Sequence, residues 1–289
     1  MISDTSSPSV IKNEETLDLF DFDCNLTHDD MVADVEMHMQ HGAAAGVTEM
    51  LVPGATLEES QAAIDLCRKY PTQLFPTAGV HPYHALALPT PEELATLSDL
   101  AQLEECRAVG ECGLDYSPSF PDAKLQQEWF KVQLDLACRL QKPLFLHERL
   151  AHDDFMALIK QCQQKFNDYF PPVVVHCFTG NEQELREYVR QGFYIGITGF
   201  ICKKEHGASL RAMVQHIPLQ KLVIETDAPY MGFPKCRRYE PSHPKKQYPN
   251  VPSALPQVVE AIATALGKTP QEIALITKAN ARRFLRLSV

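Results

Sequence analysis

The chain has 289 residues, 45% of them hydrophobic, which is enough to bury the core of one large α/β domain. Its formal charge is −10, from 27 Lys plus Arg against 37 Asp plus Glu, which argues against a protein that coats nucleic acid by charge alone. No apolar run is long enough to span a membrane, and nine cysteines without a Cys-x-x-Cys pair or a disulfide-like framework read as reduced thiols in the cytoplasm. Residues 1–15 are polar and include Ser6-Ser7-Pro8, so they read as a disordered tail. From there to 289 the pattern is that of one domain. A strand over 17–22 is followed by a helix over 29–45 that Gly46 ends, then a strand over 47–52. Thr56 and Glu59 form a capping box that opens a helix reaching 70. Further strands read at 74–80, 107–110, 143–146, 173–175, 193–197 and 221–224. Helices fall between them, at 91–103, at 122–140, up to about 166, from a Thr179–Glu182 capping box to Gly192, and at 208–216. Two helices, 254–265 and 270–284, close the chain; Thr269-Pro270 with Glu272 starts the second. Eight strand–helix alternations predict a single (β/α)₈ TIM-type barrel, with a doubly wound open sheet as the structural alternative.

The strand ends carry titratable groups. Val173-Val174-Val175 is wholly apolar and β-branched, as suits a strand covered on both faces, and it runs straight into His176. Leu144-Phe145-Leu146 runs into His147 in the same way. The first strand ends on Asp21, Asp23 and Asn25, the third on His81, the fourth on Glu111 between glycines, and the eighth on Asp227. In a closed barrel these ends converge at one mouth, where such folds keep their chemistry. Imidazole and carboxylate together form a mixed N/O ligand set, which suits a hydrolytic metal site. His81 precedes Pro82, which holds its backbone extended, and it reads as a substrate contact. Glu225 reads as structural, and His38, His41 and His216 as surface residues of helices.

Five motifs then carry a family resemblance: Gly79-Val80-His81-Pro82, Gly110-Glu111-Cys112-Gly113-Leu114-Asp115, His147-x-Arg149-x-Ala151, His176-Cys177-Phe178-Thr179-Gly180 and Glu225-Thr226-Asp227-Ala228-Pro229-Tyr230. In this order they resemble the TatD family of metal-dependent deoxyribonucleases, amidohydrolase-like barrels, over residues 17–284. The resemblance implies a TatD-like barrel over 16–289 and a divalent metal, Mg²⁺ first and Mn²⁺ or Zn²⁺ as alternatives, with one or two ions per chain. It implies Glu111, His147, His176 and Asp227 as metal ligands, and Glu111 and Asp227 as the residues of catalysis. Many relatives carry Asp-x-His-x-His on the first strand. Here that stretch is Asp21-Phe22-Asp23-Cys24-Asn25-Leu26-Thr27, whose Asn-Leu-Thr resembles the subgroup typified by TatD itself, so Asp23 is left as an oxygen ligand and a second ion is expected to bind weakly. Val251 stands where relatives commonly have Glu.

The loop over 231–250 holds Lys235, Arg237, Arg238, Lys245 and Lys246 against the single acid Glu240, with Tyr239 and Tyr248 interleaved. Such a loop suits phosphate contact and base stacking. His81, Asn25, Arg149, Arg237 and Arg238 are therefore assigned to substrate binding. The reading is a monomeric 3′→5′ exodeoxyribonuclease acting on single-stranded DNA or 3′ ends. Its rivals are a metal-dependent hydrolase of a small amide or ester, including an aminoacyl ester on tRNA, and a binding protein on a decayed barrel.

Overall fold

The computed structural model describes residues 17–167, 169–240 and 249–288. The tail expected over 1–15, and Lys245, Lys246 and Tyr248 of the basic loop, lie outside the described residues. Apolar runs, buried over most of their length, form eight strands: β1 (Leu19–Asp21), β2 (Val47–Val52), β3 (Leu74–Ala78), β4 (Ala108–Asp115), β5 (Leu144–Arg149), β6 (Val173–Val175), β7 (Tyr194–Ile197) and β8 (Leu222–Ile224). They pair in parallel, in chain order. Val173 of β6 lies opposite Leu144 of β5, and Val174 opposite Tyr194 of β7. The ring closes between β8 and β1, where the Phe22 amide donates to the Ile224 carbonyl at 3.0 Å and Cys24 bridges Ala228. The (β/α)₈ barrel is thus realised, and the open sheet is not.

Helices cover the outside: α1 (Val35–Ala44), α2 (Leu57–Lys69), α3 (Pro91–Gln102), α4 (Ala123–Leu140), α5 (His152–Lys165), α6 (Glu182–Arg190), α7 (Ala208–Met213), α8 (Leu255–Leu266) and α9 (Pro270–Phe284). Between helices and strands, Ile64, Leu97, Phe130, Phe155, Leu185 and Val258 are buried in one continuous core. Each such side chain contributes about 1.5–3 kcal/mol by leaving water. A second core fills the barrel itself, with Phe20, Phe22, Phe75, Phe145, Val174 and Tyr194 inside and Phe284 of α9 against Phe22, ring centroids 5.5 Å apart. Aromatic bulk there closes the barrel interior to water and leaves the polar groups at the other end.

Three local expectations change. The fourth strand does not stop at Gly110 but runs on to Asp115, so Glu111 lies inside it. Glycine makes this possible. Gly110 and Gly113 have φ of +137° and +146°, and a Cβ on them would lie 2.1 Å from the Phe145 carbonyl oxygen and 1.8 Å from that of His147. The strand therefore hugs β5 through an irregular step, Val109 pairing with Leu144 and Cys112 with Leu146. The sixth helix is capped by Asn181 and Glu184 rather than Thr179 and Glu182: the Asn181 side chain accepts from the Gln183 and Glu184 amides, and Glu184 accepts from the Asn181 amide at 2.8 Å. His38 is buried at 3% exposure instead of lying on the surface, and burial holds its imidazole below the usual range.

Candidate metal centre at the barrel mouth

Glu111 is the hub. Its amide donates to the Gly54 carbonyl at 3.0 Å, and its carboxylate reaches three imidazoles from three other strand ends. His176 Nε2 lies 2.8 Å from Glu111 Oε1, His147 Nδ1 3.3 Å and His81 Nε2 3.3 Å. Burial pushes the Glu111 carboxyl up, but His81, His176 and the hydrogen bonds of His147 and His176 outweigh it and hold it well below the usual range. It is therefore an anion at neutral pH.

Each imidazole is oriented from behind. His147 Nε2 meets Asp115 Oδ2 at 3.1 Å, and Asp115 in turn accepts from the Ser117 amide at 2.8 Å. Burial disfavours the charged form of His147, and its bonds to Asp115 and Glu111 reverse that and raise it. His176, stacked on Phe145 with centroids 4.5 Å apart, has Nδ1 3.0 Å from Asp23 Oδ2. Its imidazole is pushed well up despite burial, because Glu111 and Asp23 both face it. His81 differs: burial dominates and holds it down to about 3.

Around the hub lies a layer of buried acids. Asp21 accepts from the Thr226 amide at 2.7 Å and from its hydroxyl at 2.6 Å, and burial pushes it up to about 7. Glu225 accepts from the Cys177 amide and is pushed up by burial to about 8. Asp227, at φ +55°, donates its amide to the Asp23 carbonyl at 2.8 Å. Its carboxylate accepts from Asn25 at 3.3 Å, and burial pushes it up to about 6.

Two trios offer ligand atoms within 4.8 Å of one another: His81, Glu111 and His147, and Asp23, Glu111 and His176. They share Glu111. Asp23 Oδ2 and His176 Nδ1 are both buried, and neither completes a hydrogen bond despite their 3.0 Å separation. Buried polar atoms left in this state call for a further partner. The donors are imidazole nitrogens and carboxylate oxygens, so the residues present fit a divalent cation.

The structure brings Glu111, His147, His176, Asp23, Asn25 and Asp227 to the mouth together. It also sets His81 against Glu111, where it can serve as a ligand as well as the substrate contact read from the sequence. Arg149 is exposed at the end of β5. Arg237 acts electrostatically on His38 and Glu240, and Arg238 reaches Glu260 of α8 at 2.6 Å while lying over the Tyr239 ring. These arginine contacts are with residues of α1, α8 and their own loop. Val251 packs in a small apolar cluster with Phe233, Cys236 and Ala254, so the position common as Glu in relatives is part of a core here. Sequence reasoning gave no role to Asp115. The signal was present: residues 111, 113 and 115 share one face of a strand, so Asp115 lies along the same line as Glu111, with Gly113 leaving room for the neighbouring His147 backbone.

Known proteins resemble this chain over nearly its whole length. The family model for TatD-related DNase matches residues 20–286. The 3′-5′ ssDNA/RNA exonuclease TatD of Salmonella typhimurium is 39% identical over 269 residues, 93% of this chain and 99% of that protein. The protein of the same name from Citrobacter rodentium is 39% identical over 271 residues, covering 94% and 99%. Among solved structures, a TatD homologue from Escherichia coli superposes with a TM-score of 0.80 at 26% identity, covering 93% of this chain and 98% of that one. A TatD-family hydrolase from Entamoeba histolytica gives a TM-score of 0.80 at 24% identity, with 93% and 98% covered, and supports the fold. Match and coverage extend over nearly the whole length of both partners, and the chain belongs to the family of TatD-related DNases.

Proposed function

We propose that the protein is a divalent-metal-dependent phosphodiesterase that removes nucleotides from the 3′ ends of single-stranded DNA. One observation carries the reading: a buried Glu111 with His81, His147 and His176 within 3.3 Å of its carboxylate at the mouth of a TatD-family barrel. The chemistry a divalent ion supplies in such a ligand set is polarisation of the phosphodiester and acidification of water. Mg²⁺ is the proposed ion, with Mn²⁺ and Zn²⁺ as alternatives, held by Glu111, His147, His176, Asp23 and Asp227. Asp115 keeps His147 in one ring orientation. Asp227, which accepts from Asn25, would take a proton from the attacking water. His81, Asn25, Arg149, Arg237 and Arg238 are the proposed contacts to the strand. Arg238 would have to leave Glu260, an exposed pair of small energetic value.

The two relatives are named for action on RNA as well as DNA, so RNA is a second substrate to test. Among the described residues no helix is long and apolar enough to cross a membrane. The nine cysteines are all free, which supports a reducing compartment, and we assign the protein to the cytoplasm. A monomer is proposed, to be checked by light scattering. The experiment on function incubates purified protein with 5′-labelled single strands and with small amide and ester substrates, with metal and with chelator. Stepwise shortening of the strand from its 3′ end, dependent on metal, supports the reading. Turnover of amides or esters alone would favour the small-substrate hydrolase.

A further inference from the structure

Two pairs of aromatic rings flank the Glu111 cluster, and the proposed chemistry uses neither. The first pair is Tyr83 and Phe120. Tyr83 stands two residues beyond His81, on the short 3₁₀ turn Pro82–His84 after β3, and is 53% exposed. Phe120 comes from the loop after β4. Its ring centroid lies 5.4 Å from that of Tyr83 and 6.1 Å from that of His81, edge-on in both cases. The Tyr83 amide donates to His81 Nδ1 at 3.1 Å, which ties the turn to the imidazole facing Glu111. The second pair is His28 and Tyr230, edge-on with centroids 5.2 Å apart. His28 follows Asn25 by three residues and Tyr230 follows Asp227 by three. The two loops are joined, since the Asn25 amide donates to the Ala228 carbonyl at 2.8 Å. Tyr230 is also 53% exposed. Each pair therefore adjoins a member of the cluster, one on the β3 and β4 side and the other on the β8 and β1 side. In each, a neighbour steadies a tyrosine that remains half open.

We propose that Tyr83 and Tyr230 are nucleobase platforms, one on either side of the scissile phosphodiester, that hold the two terminal nucleotides of a single strand by stacking. The proposal rests on the exonuclease reading above. It explains how a chain of charge −10 holds a polyanion, because stacking adds affinity that salt does not screen. It favours single strands, since a base in a duplex must leave its stack before it can lie on a tyrosine. It also predicts little preference among bases, because every base presents a π face.

The test uses the full-length metal-loaded protein and single-stranded oligonucleotides. One substrate is intact, one lacks the base at the 3′-terminal nucleotide, and one lacks it at the penultimate nucleotide. Variants are Tyr83→Ala, Tyr230→Ala, Tyr83→Phe and Tyr230→Phe, each checked for a wild-type circular dichroism spectrum. On the intact strand each Ala variant should lose on the order of five- to a hundredfold in kcat/KM, and each Phe variant should keep the wild-type value. Each Ala loss should vanish on one of the two abasic strands and persist on the other. Ala variants equal to wild type on the intact strand, or losses indifferent to which base is missing, would overturn the platforms. A wild-type protein that shortens no strand would instead overturn the exonuclease reading, and the platforms with it.

Discussion

A single carboxylate organises the site. Glu111 touches three histidines, and one of them, His147, is set by an acid behind it, Asp115. Removing the acid behind a ligating imidazole loosens its orientation and its basicity. Asp115→Asn is therefore expected to weaken metal binding by about 10- to 100-fold while leaving the ligand set intact. Calorimetric titration of the variant against wild type reads this directly, and unchanged affinity would remove Asp115 from the account. The same titration of wild type should show one firm ion and a weak second one, because Asp23 and Asn25 bring no imidazole to the end of the first strand. Two equally tight sites would contradict that. At this scale the sequence was informative, since His147 and His176 each end an apolar strand and the pattern repeats. It was less informative about partners. Which oxygen of which acid faces a ring depends on pairing across strands, and His81 came to lie 3.3 Å from Glu111 through a turn whose shape its residues do not announce.

The elements explain why the site is rigid. β4 carries Glu111 in its interior and lies unusually close to β5, because Gly110 and Gly113 allow what a side chain would block. A methyl group on Gly113 would collide with the His147 backbone, and its φ of +146° is unfavourable for any other residue. Gly113→Ala is expected to lower stability by more than the ~1 kcal/mol of an ordinary glycine replacement, through the backbone mismatch. Metal affinity should fall with it, as His147 shifts. Chemical denaturation and titration on the same sample check both, and a variant with wild-type values in each would mean that the two strands part without consequence. The glycines also explain why β4 was read short. Gly-rich stretches look like turns, and only pairing with β5 shows that this one continues as strand. Helix boundaries were legible where local chemistry dictates them, as in the capping box of Thr269 and Glu272. At α6 the expected box of Thr179 and Glu182 is not the one that forms; Asn181 with Glu184, two residues on, caps the helix.

The whole molecule sets an electrostatic problem, an acidic protein that acts on an acidic polymer. The barrel class was legible from eight alternations, and closure became visible only in the bonds that join Phe22 to Ile224. The loop over 231–250 carries five cations against one acid. Each neutralised phosphate of a single strand adds about 0.7 to the slope of log affinity against log salt. Replacing Arg237 and Arg238 together with Ala is expected to raise KM for DNA and flatten that slope. An unchanged slope would leave both arginines to their contacts with Glu260 and the residues around α1. The metal centre proposed for this 3′ exonuclease is built on Glu111 with His147 and His176. The most direct test follows a 5′-labelled single strand with purified wild type and Glu111→Gln, each with Mg²⁺ and with chelator. Wild type with Mg²⁺ is expected to shorten the strand stepwise from its 3′ end, with no shortening in chelator and none by a folded Glu111→Gln. Shortening that survives chelation, or that Glu111→Gln retains, would contradict that expectation.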